Sequence, residues 1–482
     1  MTINSPKTSK TDGKGGGGKR HHRNRPSKTQ HKINTEANPN AGGIDIGATE
    51  IVVAVPPGRC EDNVRTFTSF TGGLIELRDW LLDCGVTTVA MESTGNYWVN
   101  CYDLIAEAGI EVCLVNARHV KGVPGKKTDV CDAQWLQQLH TAGLLKKSFR
   151  PAQDVLRLRY LVRHRDSLVR ENASHLHRIQ KVLTEMNLKL HHVFSDIDGV
   201  SGRAIIKAIL SGERDPKVLA ALRDGRCRSD EADVLAALEG SYRSEHLFVL
   251  GQLQTQWDEI RRHLANLDGE IAGLVGGIGP AAAAAAQTGG GTPRPRGKRK
   301  QTGKNAIALD FRKEGFRYYG VDLLEIDGVG SGVLTALMSE IGPRDNLLGS
   351  FASADHFCAW LGLCPCNQIS GGKVLRSGTR KTRNRLAEAL RLAAFGLEKA
   401  KCRMGEYCRR MKGRLGKAEG ITATAHKLAR VTYAMIASGR AYDEAAAFRS
   451  NPGVAQKNLK TLKILAGKLG FQLVPNQFVT MS

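Results

Sequence analysis

An aspartate stands at the centre of an apolar run, Gly43-Ile44-Asp45-Ile46-Gly47, that otherwise reads as a buried β-strand. A carboxylate in such a place destabilises the fold unless a cation or a hydrogen-bonding partner compensates it. The same conflict recurs at the end of a second run, Val89-Ala90-Met91-Glu92, and an acidic pair follows in Lys127-Thr128-Asp129-Val130-Cys131-Asp132-Ala133. Asp129 and Asp132 are three apart at the start of a helical pattern, so one helix face carries both. If Asp45, Glu92, Asp129 and Asp132 converge, they neutralise two Mg²⁺ ions, the arrangement that phosphodiester chemistry uses. The chain must then fold so that two strand positions and one helix start meet.

The charge balance points to the partner. Of 482 residues, 70 are Lys or Arg and 47 are Asp or Glu, a formal net charge of +23. With 41% hydrophobic residues the chain can build real cores, so the excess suits a polyanion, most simply nucleic acid. A solvated basic surface gives the same count. Residues 1–41 hold nine Lys or Arg and two acids, a net +7, among glycines and small polar residues that cannot form a core. A disordered basic tail is expected there, one that either grips phosphates without reading sequence or only solubilises. No run approaches the roughly 20 apolar residues of a membrane span, and no apolar signal core opens the sequence. A cytoplasmic, nucleoid-associated protein without membrane contact is the expectation. The eleven cysteines have no repeated Cys-x-x-Cys spacing, and Cys364-Pro365-Cys366 lacks a matching pair. They are read as reduced thiols rather than a zinc site.

From 42 to 150 the pattern alternates. Strands are expected at the Asp45 run, Ile51–Val55, Val64–Phe70, Thr87–Met91 and Glu111–Val115, and helices at Leu74–Leu82, Tyr97–Ala108 and from a Thr128 cap to His140. Three hairpin-like strands followed by alternating helices and strands is the order of a ribonuclease-H-like α/β domain. In that fold the first and fourth strands and the last helix bring their acids together. From 151 to 275 the pattern turns helical. One helix, roughly 153–190, is rich in arginine at 157, 159, 163, 165, 170 and 178. Another carries Leu250, Leu253, Trp257, Ile260, Leu264, Leu267, Ile271 and Leu274 at alternating spacings of three and four, a heptad seam. The pair closes either within one chain or between protomers, and the arginines form either a solvated face or a nucleic-acid grip. Residues 276–306, with Ala281–Ala286 and a Gly-rich and Arg/Lys-rich continuation, read as a flexible basic linker.

A last, mostly α domain is placed at 307–445, with a further C-terminal segment at 446–482. Leu324-Glu325-Ile326-Asp327-Gly328-Val329-Gly330 followed by an apolar helix over Val333–Ile341 has the helix-hairpin-helix pattern. Gly328 and Gly330 would let backbone amides approach a phosphate, although a bare tight turn has the same sequence. Farther on, Ser370 is flanked by Gly371 and Gly372 beside a basic run, Lys373, Arg376, Arg380, Lys381, Arg383 and Arg385. A serine on a loop among cations suits a nucleophile at a scissile phosphate, while Ser377 competes locally and a simple turn is the commoner use of Ser-Gly.

These pieces together resemble the IS110 family of bacterial insertion-sequence transposases, the DEDD-type recombinases described as bridge-RNA-guided. The matching residues are Gly43-Ile44-Asp45, Glu92-Ser93-Thr94-Gly95-Asn96-Tyr97, Lys127 to Ala133, the helix-hairpin-helix, Trp360 to Pro365, Ile369-Ser370-Gly371-Gly372-Lys373 and Ala425-His426-Lys427-Leu428-Ala429-Arg430. They run in order from about 42 to 445. The tail and the Ala/Gly/Arg-rich linker fall outside the likeness. The resemblance implies a RuvC-like N-terminal domain, a coiled-coil middle and a C-terminal transposase domain. It implies that Asp45, Glu92, Asp129 and Asp132 bind metal, two Mg²⁺ for which Mn²⁺ can substitute, and that Ser370 forms a phosphoserine link to DNA. It further implies target and donor duplex DNA and a structured noncoding bridge RNA as partners, and a homodimer assembling to a tetramer in which the acids and the serine meet across protomers. The competing readings are a RuvC-like nuclease or junction resolvase that uses water, and a catalytically silent nucleic-acid-binding protein, which the acidic set argues against.

Overall fold

The computed structural model describes residues 37–93, 95–116, 129–278, 305–380, 382–448 and 452–473, without the side chains of 129–131, 368, 376 and 452–458. The expected tail up to residue 36, Thr128 and most of the linker lie outside those residues. Contacts divide the chain into two units, Met1–Phe149 and Arg150–Ser482.

The first unit is a mixed α/β domain. Its strands are β1 (Ala41–Ile46), β2 (Glu50–Ala54), β3 (Val64–Thr68), β4 (Thr88–Glu92) and β5 (Glu111–Val115). Helix α1 (Thr71–Asp83) follows β3, α2 (Trp98–Glu107) follows β4, and α3 (Asp129–Thr141) follows β5. The sheet order is β3-β2-β1-β4-β5. The first three strands form an antiparallel meander, and β4 and β5 run parallel to β1. Burial on both faces explains the nearly unbroken apolar runs of β1, β4 and β5. On one face Ile44, Ile46, Val89 and Met91 pack with Leu77 and Leu81 of α1 and Ile105 of α2. On the other, α3 places Leu136 on Ala90, Cys113 and Val115, and Ala133 on Val52 and Ala54. The small residues on that second face let the helix come close. A Cβ on Gly43 would stand 2.3 Å from the backbone oxygen of Ala133 and 2.3 Å from the backbone nitrogen of Gln137.

One expectation is corrected in this unit. Cys60 and Cys84 are joined by a disulfide, with Cα atoms 5.8 Å apart, so they are not free thiols. The fold brings together two cysteines 24 residues apart, one after β2 and one just beyond α1, a proximity that spacing in the sequence does not signal.

The second unit is largely helical. Helix α4 (Gln153–Glu185) and α5 (Ser244–Gly277) pack against each other within the chain, with four shorter helices between residues 190 and 238. Arg165 of α4 meets Asp268 of α5, whereas Ile179, Val182 and Leu183 share a core with Leu250, Leu253 and Trp257, so the pair is antiparallel. The seam follows the expected spacing through Ile260 and again at Ile271, but Leu264, Leu267 and Leu274 are only half-buried and Val275 is buried in place of Leu274. A straight helix of 3.6 residues per turn drifts off a seven-residue repeat by about 20° per heptad, and here the drift moves burial by one position.

Next come α6 (Phe311–Tyr319), a single 3-10 turn at Leu323–Glu325, and α7 (Ser331–Glu340). The segment before Gly328-Val329-Gly330 is thus one turn, where the sequence suggested an apolar helix. Gly328 has φ +93°, and a Cβ there would stand 2.6 Å from a Leu397 methyl. Its turn is therefore fixed by conformation and packing. Short helices at Arg344–Ser350 and Ala354–Trp360 lead to a two-stranded sheet of β6 (Gln368–Ser370) and β7 (Lys373–Arg376). Helices α8 (Arg385–Gly396), α9 (Arg403–Leu415) and α10 (Lys417–Ser438) complete this part, and α11 (Pro452–Lys468) follows a one-turn helix. Among the described residues, no helix is long and apolar enough to cross a membrane.

Candidate active site and nucleic-acid interface

The carboxylates are best located from Gly43. Alternate residues of a strand share a face, so Asp45 lies on the Gly43 side of β1, the side covered by α3. Its ladder partner Val52 belongs to the small cluster under Ala133, which agrees. On β4, Glu92 shares the face of Ala90, which packs on Leu136 of α3. The parallel ladder pairs Gly43 with Ala90 and Ile44 with Met91, and carrying it one residue further sets Asp45 opposite Glu92.

Helix α3 runs antiparallel to these strands. Its last turn is tied to the beginning of β1, where the Asn38 amide donates to the Thr141 carbonyl at 3.0 Å and the Asn38 side chain donates to the His140 carbonyl at 2.7 Å. His140 Nε2 also meets Thr88 Oγ1 at 2.8 Å, at the start of β4. Two residues along β1 from Gly43 to Asp45 are about 6.6 Å, which equals roughly four residues of helix. Since Gly43 lies between Ala133 and Gln137, Asp45 stands level with the turn from Asp129 to Ala133, which contains Asp132. Asp45, Glu92 and Asp132 are all half-buried. The Asp129 side chain lies outside the described residues. Among those described, no three His, Cys, Asp or Glu side chains are grouped closely enough to hold a metal ion. Asp45, Glu92 and Asp132 therefore lie at one end of the sheet, on the side that α3 covers. In chemistry the set fits a hard divalent cation, because all its donors are carboxylate oxygens.

Ser370 ends β6. Gly371 and Gly372 form a two-residue connection with φ +54° and +77°, the left-handed pair that a type I′ hairpin turn demands. Ser370 is thus on a β-hairpin, where the sequence suggested a loop. The signal was present as the Gly-Gly dipeptide between two short segments that carry β-branched residues, Ile369 and Val374. Ser370 lies opposite Lys373, both are exposed, and among the described residues the serine hydroxyl has no hydrogen-bond partner. Ser377 stands at the base of the hairpin and donates its hydroxyl to Asn367 Oδ1 at 3.0 Å.

The cations separate into committed and available groups. Arg385, at the start of α8, is ion-paired to Asp166 of α4 at 2.7 Å. Arg380 is exposed but donates to the Ala359 carbonyl at 3.2 Å. Lys373 and Arg383 are exposed, Lys381 lies outside the described residues, and Arg376 is described only in its backbone. On α4, Arg163 holds both oxygens of the buried Glu340 at 3.1 and 2.9 Å, and Arg159 joins it at 3.1 Å. Arg165 binds Asp268 and the Asn305 carbonyl. Much of the arginine stripe therefore bonds α4 to the rest of its own unit. A cleft of about 790 Å³ lies beside these pairs, lined by Arg170 of the arginine-rich helix and by Arg391, whose charge the sequence pattern did not signal. Burial raises the carboxyl pKa of Asp166 in its wall, against the pull of Arg385.

Two family models match the chain. One, DEDD_Tnp_IS110, described as a transposase, covers residues 42–188. The other, the transposase IS116/IS110/IS902 family, covers residues 322–408. The first takes in the acid-bearing sheet from Gly42 onward and all of α4, and the second takes in the Gly328 turn, the Ser370 hairpin and α8. No curated protein matches the chain.

Proposed function

The chain belongs to the IS110 family of transposases, enzymes of DNA strand breakage and rejoining, and on that premise we propose that it exchanges strands through a covalent phosphoserine at Ser370. The observation that carries this reading is the exposed hydroxyl, without a hydrogen-bond partner among the described residues, at the end of β6 beside the glycine turn and Lys373. Ser377 is the weaker candidate because its hydroxyl is bonded to Asn367. In the proposed step Ser370 Oγ attacks a backbone phosphorus. The Oγ–P bond forms as the bond to the 3′ oxygen breaks, the serine proton leaves, and the departing strand ends in a 3′-hydroxyl. A 3′-hydroxyl from another strand then attacks the phosphoserine and restores the hydroxyl of Ser370. The phosphodiester energy is kept throughout, so joining needs no ATP. A serine hydroxyl is a weak nucleophile at its own pKa and requires activation.

Asp45, Glu92, Asp129 and Asp132 would hold the divalent cation typical of DEDD-type transposase domains, in a RuvC-like fold. When bound, that cation, Mg²⁺ in this reading, lowers the pKa of a coordinated hydroxyl and stabilises a departing oxygen. Lys373, Arg376, Arg380, Lys381 and Arg383 would balance charge on the phosphate, and the turn at Gly328 and Gly330 would approach the backbone as half of a helix-hairpin-helix. Arg385 acts differently in this proposal: it holds α8 to Asp166. A bridge RNA pairing with both DNAs, and a tetramer bringing acids and serines together across protomers, complete the reading. The α4–α5 pair would serve as its coiled coil.

The test uses a duplex trapped by a suicide nick. Incubation should leave a protease-sensitive protein at a 5′ end, and Ser370→Ala should abolish it. Free 5′-phosphates that form equally in Ser370→Ala would mean a nuclease that uses water.

A further inference from the structure

The β6–β7 ribbon carries more than the serine. Its ladder sets Ile369 opposite Val374 and Ser370 opposite Lys373. Successive strand residues point to opposite faces, so the hydroxyl and ammonium share one face and the two aliphatic side chains share the other. Ile369 is 63% exposed, Val374 55% and Leu375 69%. A single exposed aliphatic residue needs no explanation. Ile369 and Val374, side by side on one face of a two-stranded ribbon that is barely stable alone in water, form an apolar pair open to a covering surface, while Leu375 shares the face of Lys373.

Charge selects that surface. From residue 356 to 387 the sequence has no Asp or Glu, yet it holds six cations, Lys373, Arg376, Arg380, Lys381, Arg383 and Arg385. A second copy of the same ribbon is repelled by this segment, whereas a polyanion is attracted. A two-stranded ribbon has the width of a DNA groove, and aliphatic side chains pressed between base steps unstack and kink a duplex.

We propose that the ribbon tip enters a groove of duplex DNA with the Ile369–Val374 pair as an apolar wedge against the bases, turning the Ser370 face to the phosphates of the groove wall. Ile369 and Val374 are then positioning residues that act through Ser370. The inference rests on the phosphoserine reading for its purpose, but the groove contact stands without it.

The experiment uses the full-length chain with Ser370→Ala, saturated on a linear duplex oligonucleotide and probed with permanganate, which oxidises unstacked thymines. Enhanced reactivity at a few thymines is expected. In the Ile369→Ser, Val374→Ser double variant reactivity should fall to that of free DNA, while affinity by fluorescence anisotropy changes less than about threefold, because phosphate contacts dominate it. The conservative pair Ile369→Leu, Val374→Ile should retain the signal, which separates loss of the wedge from loss of the fold. With Ser370 restored, the wedge variant should form the covalent DNA link about tenfold or more slowly at unchanged affinity, since only alignment is lost. Three results overturn the proposal: no enhancement at saturation, equal enhancement in the double variant, or a drop in protomer number in the double variant by sedimentation, which would make the occupant a second copy. Permanganate enhancement without any covalent link in the Ser370 protein would instead remove the nucleophile and leave the wedge.

Discussion

At the scale of single residues, the acids were legible because they break a rule. Asp45 and Glu92 occupy strand positions where neighbours are buried aliphatics, and a carboxylate is tolerated there only with compensation. Asp45→Asn and Asp129→Asn are each expected to lower strand cleavage by at least about 100-fold, the usual effect of removing an electrostatic group at a reacting phosphate. DNA affinity by anisotropy should change little, and full cleavage in either variant would remove that residue from the site. A second prediction concerns His140, which is buried against Thr88. Burial holds its pKa below the ordinary 6.5, with Lys147 acting in the same direction and Glu111 opposing. The unfolded chain therefore takes up the proton first. Stability is full above pH 6.5 and declines as pH falls toward the depressed folded value. Thermal melting should drop between neutral pH and pH 5.5 in the wild type by more than in His140→Gln, which has no proton to gain at that site.

At the scale of elements, the contact that matters most is α3 on β1. Gly43 supplies it, and nothing in the run Gly42-Gly43-Ile44-Asp45-Ile46-Gly47 says which glycine is needed for its missing Cβ. Gly43→Ala forces an atom to within 2.3 Å of the α3 backbone. A destabilisation at the upper end of about 1–3 kcal/mol is expected, because backbone cannot turn aside as a flexible side chain can. The same variant should lose more activity than stability if α3 carries two of the acids, since the helix would lift from Asp45 and Glu92. Urea melts and cleavage assays on one preparation would separate the two effects. The basic stripe of α4 shows the opposite limit. Its arginines read in sequence as either a solvated face or a grip, and the fold gives Arg159, Arg163 and Arg165 to Glu340 and Asp268. Partners about 100 to 180 residues away decide that assignment, and spacing along a helix holds no information about them.

At the scale of the whole molecule, a net charge of +23 predicts strongly salt-dependent DNA binding. If the tail grips phosphates, deleting residues 2–36, which carry net +7, should reduce the slope of log affinity against log salt by up to about 6. An unchanged slope would mark the tail as solubilising only. The sequence by itself determined the order of strands and helices in the first unit, because burial on two faces and on one stripe write different periods into the chain. It also placed Asp45 and Glu92 on strands, as polar residues at apolar positions, and Asp129 and Asp132 at a helix start, from their spacing. Only the tertiary structure decided that Asp45 and Glu92 lie on the α3 face of the sheet, that Cys60 meets Cys84, that Arg385 is tied to Asp166, and that Ser370 ends a hairpin strand beside an exposed Ile369–Val374 pair. Each of these depends on a partner distant in sequence or on the sense of a turn, and local periodicity records neither.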